Sequence, residues 1–285
     1  MHNFFSHEYI TDRIIRVRDA SFTAVYLVLG DHSAALIDTG IGIGSLRTYV
    51  EGTIGVNADV VILTHGHLDH ANGAGEFSDV PIYLNPLDKA LMRQHQDAKR
   101  QLTMVRQTHD YYHLDCPELK AEDVMDYLDP EATLPLEDEQ EFDLGGVQLK
   151  AIHTPGHTMG MTMILIEGER FLLTGDGCGV GVLLVEDCCS TVSEYRQGLA
   201  KLEKYSSCYD HILRNHGTCV SSKELIPSVR EVCEEILNGT DDRIPTSTVL
   251  ESSSDVFQAK KTFPGTQNRV DGKQGNIIYA LNKIR

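Results

Sequence analysis

The sequence predicts an α+β fold in four layers, two β-sheets held between helices, with a helical insertion in the first half. Three observations predict it. Short apolar or alternating runs, the strand signature, dominate residues 13–64. Strand-like runs return after residue 147. Each of these stretches is followed by segments with helical spacing. Strands then helices, twice over, suggest two sheets sandwiched between helices. A chain of 285 residues can bury a sizeable core, and 1–285 is read as one domain.

The elements follow in order. Residues 13–18, 22–29 and 33–38 are short strand-like runs, broken by Asp19-Ala20-Ser21 and Gly30-Asp31. Asp38-Thr39-Gly40 is a turn, and 43–51 a helix capped by Gly52 or Gly55. Residues 58–64 are continuously apolar, the pattern of a fully buried strand. Residues 71–76 start a short helix and 81–84 form a strand. Helical spacing over 87–107, with a polar face of Lys, Arg and Gln, is followed by a second helix over 117–127. Between them lies His109-Asp110-Tyr111-Tyr112-His113. Because this region interrupts the strand pattern, 87–128 is read as an insertion covering something. Strands resume at 147–153, 161–167 and 170–174. Then come a helix over 192–205, a strand over 211–214 and an amphipathic helix over 222–237. Residues 238–274 are rich in Thr, Ser, Asp and Gly, and 276–281 close the chain as a strand.

Composition narrows the class. Apolar residues make up 41% and charged residues 24%, ordinary for a globular protein. There is no run of eighteen apolar residues, so no membrane span is expected. The first ten residues lack a basic start and apolar core, so no secretory leader is expected and a cytoplasmic protein is. Forty-two acidic against 25 basic residues give a net charge of −17, which repels nucleic-acid phosphates. No nucleic-acid partner is therefore expected. The seven cysteines form no Cys-x-x-Cys pair, and reduced thiols are the expectation.

The chemistry concentrates at strand ends. His65, His67, Asp69 and His70 lie within six residues directly after the apolar run 58–64. Imidazole and carboxylate are the ligands that zinc, iron and manganese accept. A lone loop histidine is ordinarily a surface or capping residue; three beside an aspartate are not. The pattern recurs at Gly156-His157, Gly175-Asp176 and Asn215-His216-Gly217, each after a strand-like run. Each alone would read as a turn; together they make a set.

This order of motifs resembles the metallo-β-lactamase superfamily: Asp38-Thr39-Gly40, then His65-Gly66-His67-Leu68-Asp69-His70, then Gly156-His157, Gly175-Asp176 and His216. The resemblance implies the family's αβ/βα sandwich and two divalent metal ions, zinc first, with iron or manganese open. It implies that His65, His67 and His157 hold one ion, that Asp69, His70 and His216 hold the other, and that Asp176 bridges them. Asp69 and Asp176 are the catalytic carboxylates of this reading. A metal-bridging hydroxide would then cleave an ester, thioester, lactone or phosphodiester in a small molecule. Asp38 matches a family position outside the ligand set, where a carboxylate orients a ligating histidine.

Within the family, the glyoxalase II and lactonase-like dinuclear branch is expected. The diiron oxygen-reducing relatives carry Glu where His67 stands here, and a flavin domain for which no length remains. Nucleolytic relatives add an accessory domain or a basic arm. The lactonase Tyr after the bridging Asp is missing, since Gly177, Cys178 and Gly179 follow Asp176. Glyoxalase II carries a basic C-terminal region, and Lys260, Lys261, Arg269 and Lys273 offer a weak counterpart. Tyr111, Tyr112 and His113 are candidate lining for a substrate pocket, or packing residues of a helical hairpin. A homodimer is a further expectation. The alternatives from other classes are a metal- or ligand-binding protein without turnover, and a diiron redox enzyme.

Overall fold

The computed structural model describes residues 4–247 and 255–285. The chain forms two compact units, one of Met1–Ala151 with Asn215–Gly217, the other of Ile152–Arg214 with Thr218–Arg285.

The first unit is built on a seven-stranded sheet whose spatial order is its chain order: β1 (Ser6–Tyr9), β2 (Ile14–Arg18), β3 (Ala24–Leu29), β4 (Ala34–Ile37), β5 (Val60–Ile62), β6 (Ile82–Leu84) and β7 (Leu134–Pro135). β1 to β4 are antiparallel and joined by short turns. From β4 to β7 the pairing is parallel, so each step needs a crossover. The crossover from β4 to β5 carries α1 (Leu46–Tyr49), with Ser45 accepting from the Thr48 N–H as its cap. A π-turn (Val50–Ile54) follows and ends at Gly55, in the left-handed conformation expected of a helix stop. The next crossover carries α2 (Leu68–Ala71). Buried Val17, Val25, Leu27, Leu36, Val61 and Leu63 are among the residues of this unit's main core. A hairpin of β8 (Glu141–Asp143) and β9 (Gln148–His153) completes it, with the unit boundary inside β9.

The stretch 87–128 is only half helical. α3 (Lys89–Gln94) and α4 (Ala98–Tyr111) replace one long helix, broken where Asp97 caps the second. The second predicted helix does not form: residues 117–127 contain a single 3₁₀ turn, Ala121–Asp123. Tertiary pairing overrides local propensity there. The Met125 N–H donates to Gly42 O, the Gly44 N–H to Asp123 O, and Ile43 bridges Val124. Val105 of α4 is fully buried against Ile41 and Ile43. At these points the stretch is fastened into the first unit's packing.

The second unit has two sheets. One places β14 (Val220–Ser222), β13 (His211–Leu213), β11 (Phe171–Leu173) and β10 (Thr162–Glu167) side by side. The other orders β12 (Val182–Leu184), β17 (Ile277–Ala280), β16 (Val256–Gln258) and β15 (Ile244–Pro245). α5 (Val192–Lys201) begins with a Thr191/Glu194 capping box, and α6 (Leu225–Asn238) ends at left-handed Gly239. Their buried faces share a core with Leu165, Leu172 and Ile212. The polar stretch 238–274 hides the two short strands β15 and β16, and part of it, 248–254, lies outside the described residues. Among the described residues no helix is long and apolar enough to cross a membrane.

Candidate metal centre

In the first unit, β5 runs into Thr64-His65 and the chain turns at once into α2. That single turn delivers His65, His67, Asp69 and His70 to one place, all of them buried. Gly66 permits it: a Cβ there would stand 2.7 Å from Asp88 O, while the Gly66 N–H donates to Asp88 Oδ2. The His65 and His70 rings lie 4.0 Å apart between centroids. His67 stacks on His95 at 5.0 Å and 15°.

Asp38 organises the cluster. It is fully buried and sits at φ 63°, a left-handed conformation that Asp tolerates better than most residues. Its Oδ1 accepts the Thr64 N–H at 2.7 Å. Its Oδ2 lies 2.8 Å from His70 Nδ1 and accepts from Asn215 Nδ2 at 2.8 Å. A carboxylate only accepts, so His70 carries its proton on Nδ1 and turns the Nε2 lone pair away from Asp38. That Nε2 lies 3.6 Å from Asp69 Oδ2, and His216 Nε2 lies 3.3 Å from the same oxygen. The Thr64 hydroxyl bonds Asp38 and lies 3.0 Å from His65 Nδ1. By the same count His65 donates from Nδ1 and leaves Nε2 as a lone pair, 3.1 Å from His67 Nδ1. Asp69, His70 and His216 each offer one ligand atom, all within 4.8 Å of one another. Oriented imidazole lone pairs around a carboxylate oxygen are the donor set a divalent transition metal takes.

Thr23 also reaches Asp69, its Oγ1 lying 3.1 Å from Oδ2. Beside it, Asp19 is a buried carboxylate whose pKa is pushed up to about 6, chiefly by burial and against several hydrogen bonds. Tyr111, Tyr112 and His113 stand at the exposed end of α4, with Tyr111 70% and Tyr112 47% exposed. Tyr112 meets Tyr111 edge-on at 5.1 Å and Phe22 at 5.6 Å.

The second unit carries the other two predicted ligands. His157 is buried, and its Nδ1 lies 3.0 Å from Leu183 O. A carbonyl only accepts, so Nε2 is left as the lone pair. That Nε2 is 3.7 Å from Asp176 Oδ2. Tyr195 of α5 ties both loops: its ring packs on Gly156, and its hydroxyl donates to Gly177 O at 2.7 Å. Cys178 is fully buried, and its thiol is pushed up to about 12 by that burial.

The profile of the metallo-β-lactamase superfamily matches residues 18–204. The chain belongs to that superfamily. Its mixed sheets and helices make an α+β fold, as in a metallo-β-lactamase from Pontibacter korlensis. That structure superposes with a TM-score of 0.57 at 15% identity, over 81% of this chain and 99% of the other. The acyl-coenzyme A thioesterase MBLAC2 of Bos taurus is 25% identical over 210 residues, 67% of this chain and 73% of the relative. The atrochrysone carboxyl ACP thioesterase of Aspergillus chevalieri is 26% identical over 189 residues, 62% of this chain and 50% of the relative. The chain spans about half the length of the first curated relatives it matches.

In this metallo-β-lactamase superfamily chain, three of the four basic residues noted at 260–273 are held in ion pairs. Lys260 pairs with Glu235, Arg269 with Asp271 and Lys273 with Glu231. Asp19, Thr23, His95 and Tyr195 escaped the sequence reading. Asp19 with Ser21 and Thr23 has the spacing of an Asp-headed turn, a signal that was present. A tyrosine on an amphipathic helix reads as core, and nothing in the sequence marks Tyr195 otherwise.

Proposed function

We propose that this superfamily member is a metal-dependent hydrolase of small acyl compounds, with a thioester as its substrate. The observation that carries the reading is the Asp38–His70–Asp69–His216 arrangement, in which a buried carboxylate fixes one imidazole so that its Nε2 lies beside a second carboxylate, which a second imidazole also approaches. Family membership extends it to two divalent ions, zinc first. His65, His67 and His157 are assigned to one ion, Asp69, His70 and His216 to the other, and Asp176 to both. When bound, such a pair supplies Lewis acidity and brings the pKa of its water to about 7. The chain's own part is to hold and orient. Asp38 and Thr64 fix the ring tautomers, and Asp69 and Asp176 add the negative charge that retains divalent ions.

The names of the two thioesterase relatives favour a thioester over a lactone or phosphodiester. Tyr111, Tyr112 and His113 are assigned to the acyl side of the substrate, supported by the exposed rings of Tyr111 and Tyr112, the second of which meets half-buried Phe22. The net charge of −17 disfavours strongly anionic carriers, so a neutral acyl thioester belongs in the assay beside acyl-coenzyme A.

The test is metal content by mass spectrometry on protein purified without added metal, with thiol release from both thioesters. About two transition-metal ions per chain, reduced together with turnover in Asp176→Ala, are expected. Full metal content and rate in Asp176→Ala would remove Asp176 from the centre. A chain that takes up no metal under any loading would be a binding protein, and tightly bound iron with electron-dependent activity would make it a redox enzyme.

A further inference from the structure

We propose that Thr23 is a positioning residue of the metal centre: its hydroxyl, held by the turn 19–23, donates to Asp69 Oδ2 and sets the direction in which that carboxylate meets a divalent ion. The inference rests on the reading of Asp69 as a ligand.

Proton counting assigns the donor. Three oxygen–oxygen contacts run in series: Asp19 Oδ1 to Ser21 Oγ at 2.7 Å, Ser21 Oγ to Thr23 Oγ1 at 2.9 Å, and Thr23 Oγ1 to Asp69 Oδ2 at 3.1 Å. Two hydroxyls supply two protons, and the carboxylates at the ends only accept. Bonds to a charged acceptor are the stronger ones. The Ser21 proton therefore goes to Asp19, over the shortest contact, and the Thr23 proton goes to its own charged neighbour, Asp69.

The turn is built to hold that hydroxyl inward. Asp19 Oδ1 also accepts the Ser21 and Thr23 N–H groups, and Oδ2 accepts the Ile41 N–H. The Asp19 N–H donates to Thr23 O, and the Phe22 N–H to Asp19 O. Gly40, the glycine of the Asp-Thr-Gly motif, makes room: a Cβ there would stand 2.6 Å from Asp19 Oδ2. Phe22 sits at φ 62°, where a bulky residue is strained and persists only if its surroundings over-determine it. Its ring lies 4.9 Å from that of His109, while the next residue, Thr23, is fully buried against Asp69. A turn that merely joined β2 to β3 would take Gly or Asn at position 22 without strain.

The test is zinc affinity of the metal-free protein, by competition with a chromophoric chelator, for wild type, Thr23→Val, Thr23→Ser and Ser21→Ala. Loss of a hydrogen bond to a ligand lowers metal affinity about 10–100-fold. Thr23→Val should show that loss in one binding event, and Thr23→Ser, which keeps the hydroxyl, should stay close to wild type. Ser21→Ala leaves the Thr23 donor in place and should also bind zinc normally. Wild-type affinity in Thr23→Val overturns the proposal. So does an equal loss in Thr23→Val and Ser21→Ala, which would assign the effect to the packing of the turn. Wild-type protein that binds no zinc would fail at the reading of Asp69 as a ligand.

Discussion

Asp38→Asn is the most informative single change, because the substituted amide has the same size and tolerates the left-handed backbone at φ 63°. Sterics stay constant while hydrogen-bond polarity changes. The carboxylate collects the Thr64 N–H and hydroxyl, His70 Nδ1 and Asn215 Nδ2. An amide has one accepting atom. If its oxygen keeps Thr64, its NH2 faces Asn215 Nδ2, another donor, in a fully buried site. A lost charge-assisted bond is worth about 1.5–3 kcal/mol, and a stranded buried donor costs about 1–3 kcal/mol. The sum is roughly 3–5 kcal/mol for the metal-free protein. With a urea m-value of about 3 kcal/mol/M, the midpoint should fall by about 1–1.7 M. The NH2 would also drive His70 to the other tautomer, with its proton on Nε2, so zinc affinity should fall about 10–100-fold. Equilibrium urea unfolding followed by circular dichroism, with chelator competition on the same samples, measures both. An unchanged midpoint, or lower stability with wild-type zinc affinity, would refute the assignment of Asp38 as the group that sets the His70 tautomer.

Two further outcomes are expected. Tyr111→Ser with Tyr112→Ser removes exposed rings, so stability should shift by no more than about 0.5 kcal/mol. Relative kcat/KM for a long-chain over an acetyl thioester should fall about tenfold, the worth of roughly 1.4 kcal/mol of apolar contact; equal effects on both substrates would count against an acyl-binding role. The Cys178 thiol, pushed up to about 12 by burial, deprotonates only as pH rises toward that value, and its thiolate fraction at pH 8 is about 10⁻⁴. Mass spectrometry after iodoacetamide treatment at pH 8 should find half-buried Cys208 modified and Cys178 intact, and comparable labelling of the two would show that Cys178 is reachable.

The ligand motif was legible because it is local. Six residues after a buried strand hold His65, His67, Asp69 and His70, and one tight turn into α2 suffices to gather them. Strands β2 to β6 were legible for a similar reason, since apolar runs with turn residues between them state their own burial. The helix expected over 117–127 did not form because its backbone groups are taken up by Gly42, Ile43 and Gly44. Strands β7, β8, β14 and β15 are two or three residues long and mostly exposed, so no apolar run marks them.

The sequence by itself determined the superfamily, the α+β class and the positions of the histidines and aspartates, because these depend on residue type and short spacing. Only the tertiary structure decided what holds them. Asn215 reaches Asp38 across 177 residues of chain, Asp69 receives Thr23 across 46, and Tyr195 ties Gly177 across 18. Hydrogen-bond partners so far apart are chosen by how sheets and helices pack, and neither spacing nor composition carries that choice.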